Sequence, residues 1–230
     1  LKRTKVDLEN SDGISIPDAE KIEIQCEYTP DQISLFEANI DWKGNNGFFS
    51  QLQEFRLMSV DLNAFWCLEE RKRSQVFEIF PETLKEKITR KELFEEGGKT
   101  LKLKEIIQGY MKGDSPPISK LVVTIERHAL ATFFKPIIEA LGCIVFEVTG
   151  ETDARHDVFK AFKNESRPSI LLLGAQVGGV AINLNFANGI VHLNRHLNPE
   201  REHQLNCRIV RRGQTQTPRS EEHTSELQSP

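Results

Sequence analysis

Cysteine is sparse in this chain of 230 residues, and the four present are scattered. Cys26, Cys67, Cys143 and Cys207 form no C-x-x-C pair. That spacing excludes a zinc ribbon and a disulfide framework, and reads as reduced, mostly buried thiols of an intracellular protein. Long hydrophobic runs are also missing. The most apolar stretch, Ile170 to Ala187, is interrupted by Gln176, Asn183, Asn185 and three glycines, so it is not a membrane span. No secretory signal is visible, and a first residue other than Met is expected of a fragment. Neither charge sign dominates. A formal net charge of −4 gives no global basic field, so any nucleic-acid contact would be confined to one groove. Tryptophan and tyrosine are rare, but fourteen phenylalanines and a hydrophobic fraction of 38% suffice for one large domain or two small ones. No internal repeat or low-complexity tract is present.

Two phosphate-site devices are absent. Gly98-Lys99-Thr100 ends like the loop G-x-x-x-x-G-K-[ST], but the first glycine position is occupied by Leu93, and the charged run Phe94-Glu95-Glu96 stands where a strand should lead in. Without a glycine-opened loop after a strand, backbone amides cannot converge on phosphates. Gly98-Lys99 is expected instead to stop one helix and start another. No acidic D-E-x-x box occurs, so nothing in the chain is expected to hold Mg²⁺ against a nucleotide, or any other metal.

What is present divides near residue 95. Thr29-Pro30 caps a helix expected to run to about Ile40. Phe48 to Leu68 has continuous helical spacing through Leu52, Phe55, Leu57, Val60, Leu62 and Phe65. A charged patch follows at Glu69 to Arg73, then a charged surface helix over Pro81 to Phe94 with Leu84, Ile88 and Leu93. Beyond the break at Gly97-Gly98, helices and short apolar strands alternate. Helix 99–112, strand 120–125, helix 127–141, strand 143–148, helix 154–164, strands 169–173 and 189–193, and helix 199–211 are predicted. Such alternation argues for a parallel sheet covered on both faces.

The most informative residues lie on that final helix. Gln204, Arg208 and Arg211, followed by Gly213-Gln214, read Q-x-x-x-R-x-x-R-x-G-Q. Spacings of four and three put the three polar groups on one stripe, with Ile209 and Val210 facing elsewhere. Guanidinium forks match phosphate oxygen pairs, so two of them one turn apart suit a polyphosphate; two arginines alone would equally suit a solvated basic helix end. The context upstream decides. Ile170 to Leu173 leads into Gly174-Ala175-Gln176-Val177-Gly178-Gly179-Val180-Ala181-Ile182-Asn183-Leu184, and a second short strand precedes Asn198-Pro199. Asn198 is a good N-cap and Pro199 suits a first turn.

In order and spacing these segments resemble motifs V and VI of the Swi/Snf-type ATPases, DNA-translocating members of helicase superfamily two. Leu1-Lys2-Arg3-Thr4-Lys5 resembles the run closing their first motor lobe, Gly98-Lys99 and its apolar helix the start of the second, and Gly150, Arg155 and Phe162 a further segment of it. The resemblance implies an α/β fold, a RecA-like parallel-sheet lobe over 96–218, preceded by a mostly helical protrusion over 29–95 and by the end of the first lobe over 1–28. It also implies that Arg208 and Arg211 act as arginine fingers, with Gln204 in support. Gly178, Gly179, Asn183, Gly213 and Gln214 would line the nucleotide cleft, and Gln176, Lys99 and Arg155 would contact DNA. ATP with Mg²⁺ is implied, the metal held by the absent first lobe. Implied partners are double-stranded DNA, by extension nucleosomes, and the chain's own N-terminal motor lobe, with no membrane. A nuclear location is expected in a eukaryote and a cytoplasmic one otherwise.

The sequence departs from the family at Leu197 (usually Trp), Asn194 (near a usual Asp), Gly174-Ala175-Gln176 and Thr124-Ile125-Glu126-Arg127-His128. A catalytically inactive scaffold that docks DNA or protein is therefore the alternative, and an unrelated α/β metabolic enzyme a third reading. The fragment alone is expected to be inactive. Residues 219–230 show neither hydrophobic period nor turn logic; they resemble the conceptual translation of a short-read sequencing adapter and are left out of the fold as non-native.

Overall fold

The computed structural model describes residues 20–39, 48–112, 120–175, 177, 183–209 and 219–224. Among these residues six parallel strands form one sheet: β1 (Glu20–Gln25), β2 (Lys120–Ile125), β3 (Ile144–Val148), β4 (Ser169–Gly174), β5 (Gly189–His192) and β6 (Arg219–Thr224). Their order across the sheet is β1-β6-β5-β2-β4-β3. β2 is central, with Val123 opposite Leu172 of β4 on one side and Val191 of β5 on the other. Every residue of β2 is buried, as expected of a parallel strand covered on both faces.

Alternate side chains of these strands feed two separate cores. Leu121, Val123 and Ile125, with Ile170, Leu172 and Val191, point to the face that also receives the protrusion. Val122, Leu171, Leu173 and Ile190 point to the opposite face, against Phe162 of α7 and Leu205 and Ile209 of α8. The lobe's helices are α5 (Gly98–Lys112), α6 (His128–Ala140), α7 (Arg155–Asn164) and α8 (Pro199–Ile209). They fall within a few residues of the predicted spans, and strands β2 to β5 with their helices form the expected RecA-like arrangement.

The protrusion contains α1 (Pro30–Glu37), α2 (Phe48–Met58), α3 (Glu70–Phe77) and α4 (Glu82–Thr89). Thr29 starts α1 through a reciprocal cap: the Gln32 amide donates to Thr29 Oγ1 at 3.2 Å, and the Thr29 amide donates to Gln32 Oε1 at 3.0 Å. Three expectations are corrected here. The helical spacing over 48–68 is interrupted, because Asp61 adopts an extended conformation and caps a separate 3₁₀ segment, Leu62–Cys67. The patch at 69–73 opens α3. The charged helix over 81–94 ends at Thr89: Lys91 turns left-handed at φ 58, and the amides of Lys91 and Glu92 donate to the carbonyls of Ile88 and Lys87, each at 2.9 Å. Leu93, beyond this stop, is 79% exposed, whereas Leu84 and Ile88 are buried.

Gly97 and Gly98 mark a close backbone approach. A Cβ on Gly97 would lie 2.4 Å from the Val60 carbonyl oxygen, and one on Gly98 would lie 2.2 Å from that of Glu27. Asp61 locks the junction. Its Oδ2 accepts from the Gly97 amide at 2.7 Å and the Thr100 hydroxyl at 2.8 Å, while Oδ1 accepts from the Asn63 amide at 2.8 Å and Asn63 Nδ2 at 3.0 Å. Burial pushes the Asp61 carboxyl above its ordinary value, and these donors pull it back.

β6 is a second difference. Residues 219–224, left out of the sequence-based fold, pair in parallel with β1 from Glu20↔Arg219 to Gln25↔Thr224 and with β5 from Gly189↔Arg219 to His192↔Glu222. Backbone pairing needs no hydrophobic period, which is why the pattern did not announce a strand. The thiols also divide differently from expectation: Cys26 and Cys143 are buried, Cys67 is half-buried and Cys207 is exposed.

Candidate functional site

The carboxyl ends of β2, β3, β4 and β5 converge on one edge of the lobe, where open α/β sheets bind ligands. Two adjoining cavities open there. One, of about 390 Å³, lies between α2 and the lobe and is lined by Gln53, Arg56, Glu126, Arg127, Ala175, His196, Leu197 and Arg201. The other, of about 200 Å³, shares Glu126, Arg127 and Ala175 and is closed by His128, Thr149, Gly150, Glu151 and Gly174. Arg56, Arg127 and Arg201 outnumber the one carboxylate, Glu126, on the lining of the first cavity, and Leu197 supplies an apolar wall.

A polar hub holds this edge against the protrusion. Arg56 Nε donates to both Glu126 oxygens, at 3.1 and 2.9 Å. Its second nitrogen reaches Glu126 Oε1 and the Arg195 carbonyl. Asn194 Nδ2 donates to the Arg56 carbonyl at 2.9 Å, and Asn194 Oδ1 accepts from Lys99 Nζ at 2.6 Å. Arg127 is held by Glu54 at 2.7 Å and Gln53 at 3.2 Å.

Lys99 is therefore not a surface cation. It is 4% exposed, and its expected contact with DNA is corrected: the ammonium points inward to Asn194. Burial lowers its pKa from the ordinary lysine value to about 8. Between pH 8 and the unfolded lysine value near 10.4, the unfolded chain binds a proton that the folded chain has lost, so stability rises with pH across that window. We expect denaturant unfolding to show a gain of up to about 3 kcal/mol from pH 7.5 to 10 that is absent in Lys99→Met. An identical pH dependence in that variant would remove Lys99 as its source.

The helix α8 carries the predicted stripe. Asn198 caps it, its Oδ1 accepting from the Glu200 amide at 3.0 Å. Glu202, Leu205, Asn206 and Ile209 are buried at the spacing of an inward face, leaving Gln204 exposed and Arg208 half-exposed. The end of the glycine-rich segment meets the same turn: the Leu184 amide donates to the Arg208 carbonyl at 3.1 Å. Asn183, adjacent and exposed, accepts from the Asn185 amide at 3.3 Å. The structure thus sets Asn183 next to the residue that bonds the Arg208 turn, with Gln204 one turn earlier on α8. Gln176, Gly178, Gly179, Arg211, Gly213 and Gln214 lie outside the described residues. Arg155 sits apart, at the rim of the smaller cavity, donating to the carbonyls of Thr152 at 2.9 Å and Gly150 at 2.8 Å.

Several functional residues escaped sequence reasoning. Arg56 and Glu126 are 70 positions apart, and Arg56 and Arg195 are 139 apart, so no local pattern could join them. His192 and Asn206 carried a usable signal: a histidine closing an apolar strand and an asparagine on the inward face of a helix. Among the described residues no group of three or more His, Cys, Asp or Glu side chains converges as a metal site.

Residues 98–213 match the family described as the helicase conserved C-terminal domain. A protein of Mycoplasma pneumoniae described as an uncharacterized ATP-dependent helicase is 33% identical over 100 residues, 43% of this chain but 10% of that protein. The chain therefore spans only a small part of that relative. Among solved structures, the C-terminal part of the Fun30 ATPase domain aligns over 92% of this chain and 87% of its own, with a TM-score of 0.63 and 15% identity. The Sulfolobus solfataricus SWI2/SNF2 ATPase core in complex with dsDNA aligns over 98% of this chain and 44% of its own, with a TM-score of 0.64 and 23% identity. The alternating strands and helices, the bond between Leu184 and α8 and the match over 98–213 place the chain in the helicase C-terminal domain family, with the fold of the SWI2/SNF2 ATPase C-terminal lobes.

Proposed function

We propose that this chain is the second motor lobe of a Swi/Snf-type DNA-dependent ATPase, supplying Arg208 and Arg211 to ATP held by the first lobe. The observation that carries the reading is the junction of the glycine-rich segment with α8 at Arg208. It ties the end of that segment, Leu184, to the turn that carries the half-exposed Arg208, with the exposed Gln204 one turn earlier on the same helix face. Phosphoryl transfer to water is catalysed mainly by positioning and by neutralising charge on the transferring group. Arg208, with Arg211 one turn on, would place forked donors against the equatorial oxygens as charge develops, and Gln204 would hold the first fork in line. Mg²⁺ would shield the phosphates, held by carboxylates of the first lobe. The duplex in the Sulfolobus complex supports double-stranded DNA as the track, contacted through phosphates rather than bases. Nucleosomes and a nuclear location extend that reading.

The purified chain should show no ATP turnover above buffer, with or without duplex DNA, and turnover should appear only when the first lobe is supplied. DNA-stimulated hydrolysis by the isolated chain would overturn the half-site assignment. A chain that stays silent with a competent first lobe present would favour the inactive scaffold.

A further inference from the structure

A buried chain of hydrogen bonds runs from the centre of the sheet to the helix that bears Arg208. His192, at the end of β5, is 2% exposed, and Asn206 on α8 is 9% exposed. His192 Nδ1 lies 3.0 Å from Thr124 Oγ1 of β2, and Nε2 lies 2.8 Å from Asn206 Oδ1. An amide oxygen can only accept, so the Nε2 proton sits on the imidazole and Nδ1 faces the Thr124 hydroxyl. Three elements are thereby joined through one ring.

We propose that Thr124, His192 and Asn206 are positioning residues that fix the rotation of α8 about its axis and so aim the Arg208 guanidinium. The inference rests on the role proposed above for Arg208. Leu205 and Ile209 anchor the same helix face through contacts that carry no direction, and they tolerate small rotations. A hydrogen bond of 2.8 Å to a ring held by β2 does not, because it weakens steeply off its axis. Arg208 follows Asn206 by two residues, about 200° around the helix. With the amide pinned inward, the guanidinium is aimed at the open side. Glu202, one turn earlier, accepts from the His196 amide at 3.0 Å and Arg195 at 3.3 Å. Those bonds tether the first turn to its own leading loop, whereas the bond at Asn206 refers the helix to the sheet.

The test uses the full-length protein, with duplex DNA and ATP as probes. Asn206→Leu keeps the apolar packing and removes the acceptor. It should lower kcat at least tenfold while KM for ATP changes less than threefold. Asn206→Asp restores an acceptor and should return kcat to within threefold of the parent. Because Asn206→Leu strands the buried Nε2 proton, the pair His192→Phe with Asn206→Leu removes both ends and is measured beside it. Thr124 then retains the Val191 carbonyl, 3.4 Å from its hydroxyl. In an Arg208→Ala background, Asn206→Leu should cause no further loss. Parental kcat in both folded variants, with Arg208→Ala inactive, would overturn the positioning role alone. Parental kcat in Arg208→Ala itself would overturn the reading on which it rests. A loss of kcat that only tracks the folded fraction, unrelieved by Asn206→Asp, would reduce the chain to ordinary core packing.

Discussion

Arg208→Ala in the full-length protein is expected to reduce DNA-stimulated ATP hydrolysis by about 10³-fold or more, the scale of losing an arginine finger in other nucleotide hydrolases. ATP binding should be largely kept, since on the proposed reading most ground-state contacts would belong to the first lobe. Arg211→Ala should behave alike. Arg208→Lys should rescue poorly, because an ammonium is a point charge without the planar fork. Stability should shift by less than about 0.5 kcal/mol: Arg208 is half-exposed on α8, and its backbone carbonyl, which accepts from the Leu184 amide, is kept in the variant. Arg212, off the stripe, serves as the internal control, with mild loss of DNA binding at most. Single-turnover hydrolysis and nucleotide binding measured on the same preparations separate these effects. Hydrolysis at the parental rate in Arg208→Ala and Arg211→Ala would return both residues to a solvated basic helix end.

The largest expected loss of stability comes from Asp61→Ala. Four donors from Asn63, Gly97 and Thr100 converge on this fully buried carboxylate, and deletion would leave them facing a void. A cost of about 3–5 kcal/mol is expected, the range for breaking a buried charged network by removing one partner. Asp61→Asn should cost less, since one carboxylate oxygen is retained. Asp31 is the comparison. It pairs with Lys87 at 2.7 Å, but that lysine is 39% exposed, so Asp31→Ala should cost about 1 kcal/mol or less. Denaturant midpoints at pH 7 compare the three directly. Equal losses at Asp31 and Asp61 would show that the junction before α5 is not held by this carboxylate.

The lobe was more legible than the protrusion, for physical reasons. A parallel strand buried on both faces is an uninterrupted apolar run, so Lys120–Ile125 and Ser169–Gly174 were delimited almost to the residue. Thr29-Pro30 and Asn198-Pro199 announced helix starts because a capping oxygen next to proline serves few other local structures. The break after Met58 was hidden because Leu57, Val60, Leu62 and Phe65 fit helical spacing whether or not the helix continues. Only Asp61 signalled the break, and its capping partner is two residues away. Lys99 was misplaced for a different reason. A lysine at a helix start is ordinarily solvated, and its burial depends on Asn194, which lies 95 residues further on. For the candidate site, the spacing of Gln204 and Arg208 prescribed a shared face, and their neighbours Leu205 and Ile209 indicated which side is buried. The hub of Arg56, Glu126 and Asn194 had no such periodic trace.

The apolar cluster on one face of the sheet has a mechanical consequence. Among the described residues it runs from Leu35 and Leu57 through Phe65, Phe80 and Phe94 to Leu103, Val123 and Phe134, so the protrusion and the strands share one apolar core beneath the polar cavity at their edge. Close-packed interiors deform little and pass displacement on. A push on α1 or α4 is therefore delivered to β2 and β5 as rigid-body motion, not absorbed by a compliant joint. Any hinge used by the full-length protein lies outside this shared core, and cross-linking α2 to α6 should leave its range of movement unchanged.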